Sequence, residues 1–212
     1  MEKILYREGF TASEIPEDIV SFVSGVSYKE NSRVSLSDLA YLKVRYYDFH
    51  HEIQDGELIV DKKLAAEVLD IFYELYEAGY EIEKIRLVDH YDADDEKSME
   101  DNNSSAFNYR VVADTDILSA HSFGRAIDIN PLINPYIVGK KVMPANGVQY
   151  ADRTKSFPHK IDRDDICYNV FVRHGWKWGG DWLDSKDYQH FYKQRKNPFR
   201  TVIRKIKHAL GR

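Results

Sequence analysis

From Leu39 the chain alternates apolar and polar side chains through Leu-Ala-Tyr-Leu-Lys-Val-Arg-Tyr-Tyr-Asp-Phe. A period of two over that length predicts a strand with one buried face. Asp55-Gly56 is placed to turn the chain into the short apolar run Leu58 to Val60, a second strand. The period then lengthens. Between about Lys62 and Glu77, the residues Leu64, Val68, Ile71, Leu75 and Tyr76 fall near one stripe of a helix, with Asp61 as its expected cap and Gly79 as its stop. Ile85 to Val88 reads as a buried strand, Asp92 to Ser105 as a polar loop, and Phe107 to Ala113 as another strand. A second helix is predicted over about Asp164 to His174, closed by Gly175.

Short, mostly antiparallel strands with helices on one side make an α+β fold. No internal repeat or low-complexity linker divides the chain, so one domain over residues 1–212 is expected. Within it the reading places an N-terminal extension at 1–38, a core at 39–192 and a basic tail at 193–212. Pro131 to Lys160 is the outlier: prolines and glycines interrupt it and neither period holds, as in excursions retained as lids or cleft walls. In the tail, Val202, Ile203, Ile206 and Leu210 suit a short basic helix over Arg200 to Leu210, either docked on the body or lying on an anionic surface.

Composition narrows the possibilities. A chain of 212 residues at 43% hydrophobic and 31% charged can bury roughly 70% of its unfolded surface. Its longest apolar run, Leu39 to Leu42, falls far short of the ~20 residues needed to span a bilayer. Met1 to Phe10 lacks a basic, apolar, small-residue pattern, which implies either a cytoplasmic protein or one whose leader is absent from this chain. Cys167 is the single cysteine, so an internal disulfide and a cysteine-cluster metal site are both excluded. The formal net charge of −5 conceals a C-terminal run from Lys193 to Arg212 without one acidic residue. The body is correspondingly more acidic, which argues against a nucleic-acid partner.

Candidate chemistry gathers in two places. His121 and Asp128 stand seven residues apart, about 23 Å in a straight strand, so sharing an ion requires the chain to reverse between them. Gly124, near the midpoint, is where a reversal is least costly. Downstream, Asp187 precedes His190 by three residues, just after Trp176-Lys177-Trp178-Gly179-Gly180-Asp181-Trp182. At least two of those tryptophans are expected in the core and one on a cleft wall, with Gly179 and Gly180 permitting close backbone approach. Two histidines and a carboxylate with a fourth position left for water form a common catalytic zinc shell, and a further carboxylate supplies a general base. The acidic run Asp92 to Glu96 lacks the glycine and terminal glutamate of a calcium loop and reads as a solvated loop.

The pattern Ser-x-His-x-x-Gly-x-Ala-x-Asp from Ser119 to Asp128, then Trp-Gly-Gly-Asp-Trp and Asp187-x-x-His190, resembles the zinc D-alanyl-D-alanine carboxypeptidase family. That family also contains vancomycin-resistance dipeptidases and phage L-alanyl-D-glutamate endopeptidases. With Asn102 to Arg110 included, the resemblance spans about Leu39 to Tyr192. It implies His121, Asp128 and His190 as ligands of one catalytic Zn2+ and Asp187 as the base. Arg110 is similar to the family's substrate and transition-state arginine, and Ser119 to its partner for the substrate's terminal carboxylate. Asp187 is a departure where some relatives carry glutamate. Hedgehog signalling domains resemble the same fold and share a run like His121 to Ile129, which keeps a non-catalytic zinc-binding protein as an alternative.

The resemblance therefore implies a peptidoglycan stem peptide or muropeptide as substrate, with trimming of a terminal D-alanine as the first activity and endopeptidase cleavage as the second. It also implies work in the cell envelope, periplasmic or extracellular, with the basic tail making weak contact with an anionic wall or membrane surface.

Overall fold

The computed structural model describes residues 4–112 and 116–194. The expected tail helix over Arg200 to Leu210 and the Ala113 end of the expected Phe107 to Ala113 strand lie outside that range. The largest sheet has four strands in the order β1-β2-β3-β4: β1 (Ile4–Arg7), β2 (Phe10–Ser13), β3 (Leu39–Tyr47) and β4 (Ile53–Asp61). All its pairings are antiparallel. The stretch before Leu39 thus supplies two strands, with Phe10 and Ala12 in the core, and then the helix α1 (Glu17–Val23).

Helix α2 (Ala65–Glu77) lies on this sheet as its stripe requires: Val68, Leu69, Ile71, Phe72 and Leu75 are buried with Ala40, Leu42 and Val44 of β3. Gly79 ends it in the left-handed region at φ 64. Its start differs from expectation. Leu64 occupies the cap position with no side-chain hydrogen bond, while the Asp61 carboxylate accepts from the Lys63 backbone and from Arg125 Nη1 at 2.6 Å. A charged partner thus outcompetes the cap.

The Asp55-Gly56 turn is overturned, because both residues lie inside β4 opposite Arg45 and Val44. The reversal falls earlier, where the Asp48 carboxylate accepts from the His50 and Glu52 backbones and His51 adopts φ 59. Gly56 serves close packing instead: a Cβ there would stand 2.6 Å from the Ile85 Cβ.

Of the expected Ile85 to Val88 strand only Ile85 pairs, in β5 (Lys84–Ile85), parallel to β6 (Asn103–Ser104), and Val88–Tyr91 forms a 3-10 turn. The supposed loop from Asp92 to Ser105 contains β6 and the short helix α3 (Asp95–Glu100), capped by Asp94. Among the described residues the expected strand from Phe107 is reduced to one antiparallel bridge, Val111 to Leu118, with Ser119 N donating to Arg110 O at 3.0 Å, and the Arg110 backbone is also bonded by the Ser122 hydroxyl. That hydroxyl accepts from Arg110 N at 2.9 Å and donates to Arg110 O at 2.6 Å.

Strand β7 (Ala126–Asp128) is followed by the excursion from Pro131 to Lys160, which is more regular than its composition suggests. It contains the hairpin β8 (Tyr136–Val138) and β9 (Lys141–Met143), and a 3-10 turn at Ala145–Tyr150. Arg153 holds its return, donating to the Ile133 and Ile161 carbonyls and to Asn134 Oδ1. Helix α4 (Ile166–Arg173) has the Asp165 carboxylate as its cap and Gly175 at φ 74 beyond its end. Then come β10 (Lys177–Trp178), β11 (Lys186–Asp187) and β12 (His190–Tyr192). The last strands build two small antiparallel sheets, β10-β12-β7 and β11-β8-β9. The α+β class with mostly antiparallel strands is as expected.

Gly124 carries the tightest constraint in this frame. It stands at φ 60, its carbonyl accepts from Asp61 N at 2.8 Å, and a Cβ there would lie 2.4 Å from that same nitrogen. Gly124→Ala is therefore expected to cost about 2 kcal/mol or more in urea unfolding, from left-handed strain plus collision with β4 backbone. An unchanged midpoint would contradict the packing described.

Candidate active site

Alternation along β7 and β12 creates the site. Ile127 and Phe191 point into the core, while Asp128 and His190 leave the opposite face and stand directly across from each other in the antiparallel register. His121 arrives by a different route. Ser119 begins the 3-10 turn Ala120–Phe123 with its hydroxyl accepting from His121 N, and left-handed Gly124 returns the chain into β7. The reversal that a shared ion requires is thus present where the glycine predicts it.

Asp128 spans the two imidazoles, with Oδ1 2.8 Å from His190 Nδ1 and Oδ2 3.1 Å from His121 Nε2. The two ring nitrogens are 3.1 Å apart, and all three side chains are buried. One ligand-type atom from each residue lies within 4.8 Å of the others. His121 Nδ1 contacts the Ala106 carbonyl, which fixes that nitrogen as the donor and leaves Nε2 its lone pair. Two nitrogen lone pairs and a carboxylate converging in a buried place form a donor set able to hold a metal ion. The donor set therefore fits a zinc ion.

The surrounding fields agree. Burial opposes charge on His121, yet Asp128 beside it raises its pKa above the ordinary histidine value. Burial likewise works against the Asp128 charge, and the two histidines overcome it and hold the carboxyl far below the usual range. Asp187 behaves oppositely: burial, with Asp128 adding to it, pushes its carboxyl up to about 7. Its Oδ1 is buried without a hydrogen-bond partner among the described residues. Gly179 makes room for this group, since a Cβ there would stand 2.8 Å from the Asp187 Cβ and 3.3 Å from the His190 Cβ.

These residues form part of the wall of a cleft of about 480 Å³ that also takes in Arg110, Ser119, Trp182 and, from the long excursion, Tyr136 and Met143. Trp176 and Trp178 are buried in the core and Trp182 lies 5.5 Å from the His190 ring. All six residues singled out in the sequence, His121, Asp128, His190, Asp187, Arg110 and Ser119, therefore meet at one cleft. Sequence reasoning missed Asp95, whose Oδ2 lies 2.5 Å from Arg110 Nη2. It was absorbed into the solvated acidic run, and only its place in the first turn of α3 distinguishes it. His51, His159 and His174 are engaged away from the cleft, with Glu81, with Glu81 and the Phe49 ring, and with Glu74.

Residues 113–193 match a family model described as D-alanyl-D-alanine carboxypeptidase. The resemblance carried by the Ser119 to Asp128 motif and by Asp187-x-x-His190 holds over that stretch, which is narrower than Leu39 to Tyr192 and begins after Arg110. No curated protein and no solved structure matches the chain.

The raised carboxyl of Asp187 has a consequence for stability. A group that keeps its proton to about 7 when folded, against 3.8 ordinarily, lends stability below about pH 4 that is lost as pH rises toward 7. Asp187→Asn lacks that loss. In thermal unfolding of the chelator-treated protein, the advantage of Asp187→Asn over wild type should grow between about pH 4 and about pH 7 and level off above it. A pH-independent difference would show that Asp187 ionises normally.

Proposed function

We propose that this chain, similar over residues 113–193 to the D-alanyl-D-alanine carboxypeptidases, is a zinc peptidase. On this reading it hydrolyses D-amino-acid-containing peptides of peptidoglycan, first of all by removing a terminal D-alanine. The observation that carries the reading is the convergence of His121, Asp128 and His190 beside the half-buried, proton-retaining Asp187 at one cleft. The hedgehog-like alternative has no use for such a base. A cell-envelope location and a hedgehog-like arrangement of the fold are parts of the same proposal.

His121 Nε2, His190 Nδ1 and an Asp128 oxygen would hold the ion. Zinc supplies there the polarisation of a carbonyl and the activation of a water molecule. Asp187 acts on protons: a carboxyl held near 7 is suited to accept one from the attacking water and to return it to the departing amine. Arg110 offers planar paired donors to an oxygen anion, from the substrate's terminal carboxylate or from the developing charge at the scissile carbonyl. Ser119 stands in the same cleft as the carboxylate's second partner. Trp182 and Tyr136 give it apolar walls that exclude water from the reacting centre.

Product mass spectrometry on muropeptides, with free-acid and amidated peptides compared, tests this reading. Asp187→Asn should keep the metal and lose most turnover. If Arg110 grips the terminal carboxylate, amidation should cost at least about tenfold in kcat/KM, since each charge-assisted bond contributes about 1.5–3 kcal/mol. Arg110→Ala should then erase the difference between the two substrates. Indifference of wild type to amidation would turn the assignment to the endopeptidase, and no release of amino acid or peptide from any muropeptide would overturn it.

A further inference from the structure

Arg110 does not stand free at the cleft. Asp95 Oδ2 lies 2.5 Å from Arg110 Nη2, both side chains are about one-third exposed, and both line the cleft. On the same side of the guanidinium as Nη2, Arg110 Nε is buried and has no hydrogen-bond partner among the described residues. A buried N–H without an acceptor is costly and calls for an explanation. Here one donor is pinned by a carboxylate while its neighbour on the same side has no acceptor among the described residues.

The carboxylate that pins it is itself held in place. Asp95 opens α3, whose capping residue Asp94 accepts from Lys97 N. The helix is bonded to the cleft wall on two sides. Glu96 accepts from Ala145 N and the Glu100 carbonyl accepts from Asn146 Nδ2, both from the turn that follows β9. Met99 sulfur receives Gln189 Nε2, and Gln189 immediately precedes His190. Position is thus transmitted from the two small sheets to Asp95 and from Asp95 to Arg110.

We infer that Asp95 is a positioning residue, which fixes the Arg110 guanidinium through Nη2 so that its remaining donors are presented to the substrate oxygen in the cleft. This rests on the peptidase reading for what the oxygen is, and deepens it in one respect. Because Asp95 already supplies one negative charge to Arg110, the guanidinium meets the substrate as an oriented donor more than as an unpaired cation. The recognised group is an oxygen that accepts one or two N–H bonds from one side.

The test is a double-mutant cycle on the zinc-loaded enzyme with a muropeptide substrate, joined to an observation independent of activity. Asp95→Ala should lower kcat/KM by about tenfold to a hundredfold with zinc content unchanged, because lost orientation of a charge-assisted donor has that magnitude. In an Arg110→Ala background the same change should add almost nothing, since the two residues act as one unit. Additive losses would overturn the inference. In parallel, the Arg110 Nε–H resonance, assigned by its disappearance in Arg110→Lys, should be sharp and slow to exchange in wild type and broadened in Asp95→Ala. An unaltered resonance in Asp95→Ala overturns the positioning role whether or not the enzyme cuts muropeptides. A wild type that orders Arg110 yet cuts none of them counts against the peptidase reading alone.

Discussion

Strands β7 and β12 pair with Asp128 opposite His190, and this single rung is what the chemistry depends on. The rung is fixed because its neighbours on the other face, Ile127 and Phe191, are fully buried. A slip of one residue would send the hydrophobic pair to the cleft and the ligand pair to the core. His121 is held to the same point by a second constraint, the left-handed turn at Gly124, whose backbone is pressed against the end of β4. The main sheet therefore reaches the site through Asp61 and Gly124, with the Arg125–Asp61 ion pair tying the two regions together.

Two carboxylates near one another in this burial are driven apart in behaviour by their partners. Asp128 touches two histidines and stays ionised, whereas Asp187 has an orphaned oxygen and keeps its proton toward neutral pH. Such divergence is what acid–base chemistry at neutral pH requires, and it follows from placement more than from residue type. The long excursion after β7 contributes to the same environment. Its strand β8 pairs with β11 and places Tyr136 opposite Asp187, so the segment that looked least regular in the sequence walls the cleft beside that carboxyl.

The parts of the fold legible in the sequence were those governed by local rules. The period of three and four gave α2, alternation gave β3, and Gly79, Gly124 and Gly175 marked left-handed positions that the structure uses as such. The convergence of His121, Asp128 and His190 was legible because their residue types and spacing match a family signature. What could not be read depends on partners distant in the chain. Gly56 looks like a turn residue until Ile85 is seen against it, and the strand expected from Phe107 shrinks to the Val111–Leu118 bridge where the Ser122 hydroxyl also bonds the Arg110 backbone. Asp95 looks like one more acid in a solvated run until Arg110, which follows it at a distance of fifteen positions, is found within an ion-pair contact.

The central claim is that His121, Asp128 and His190 form one metal centre, and metal content measures it most directly. Purified wild type dialysed against a weak chelator should retain about one zinc per chain. The double variant His121→Ala, His190→Ala, shown to be folded by far-UV circular dichroism, should retain far less. Stoichiometric zinc in that variant would contradict the account.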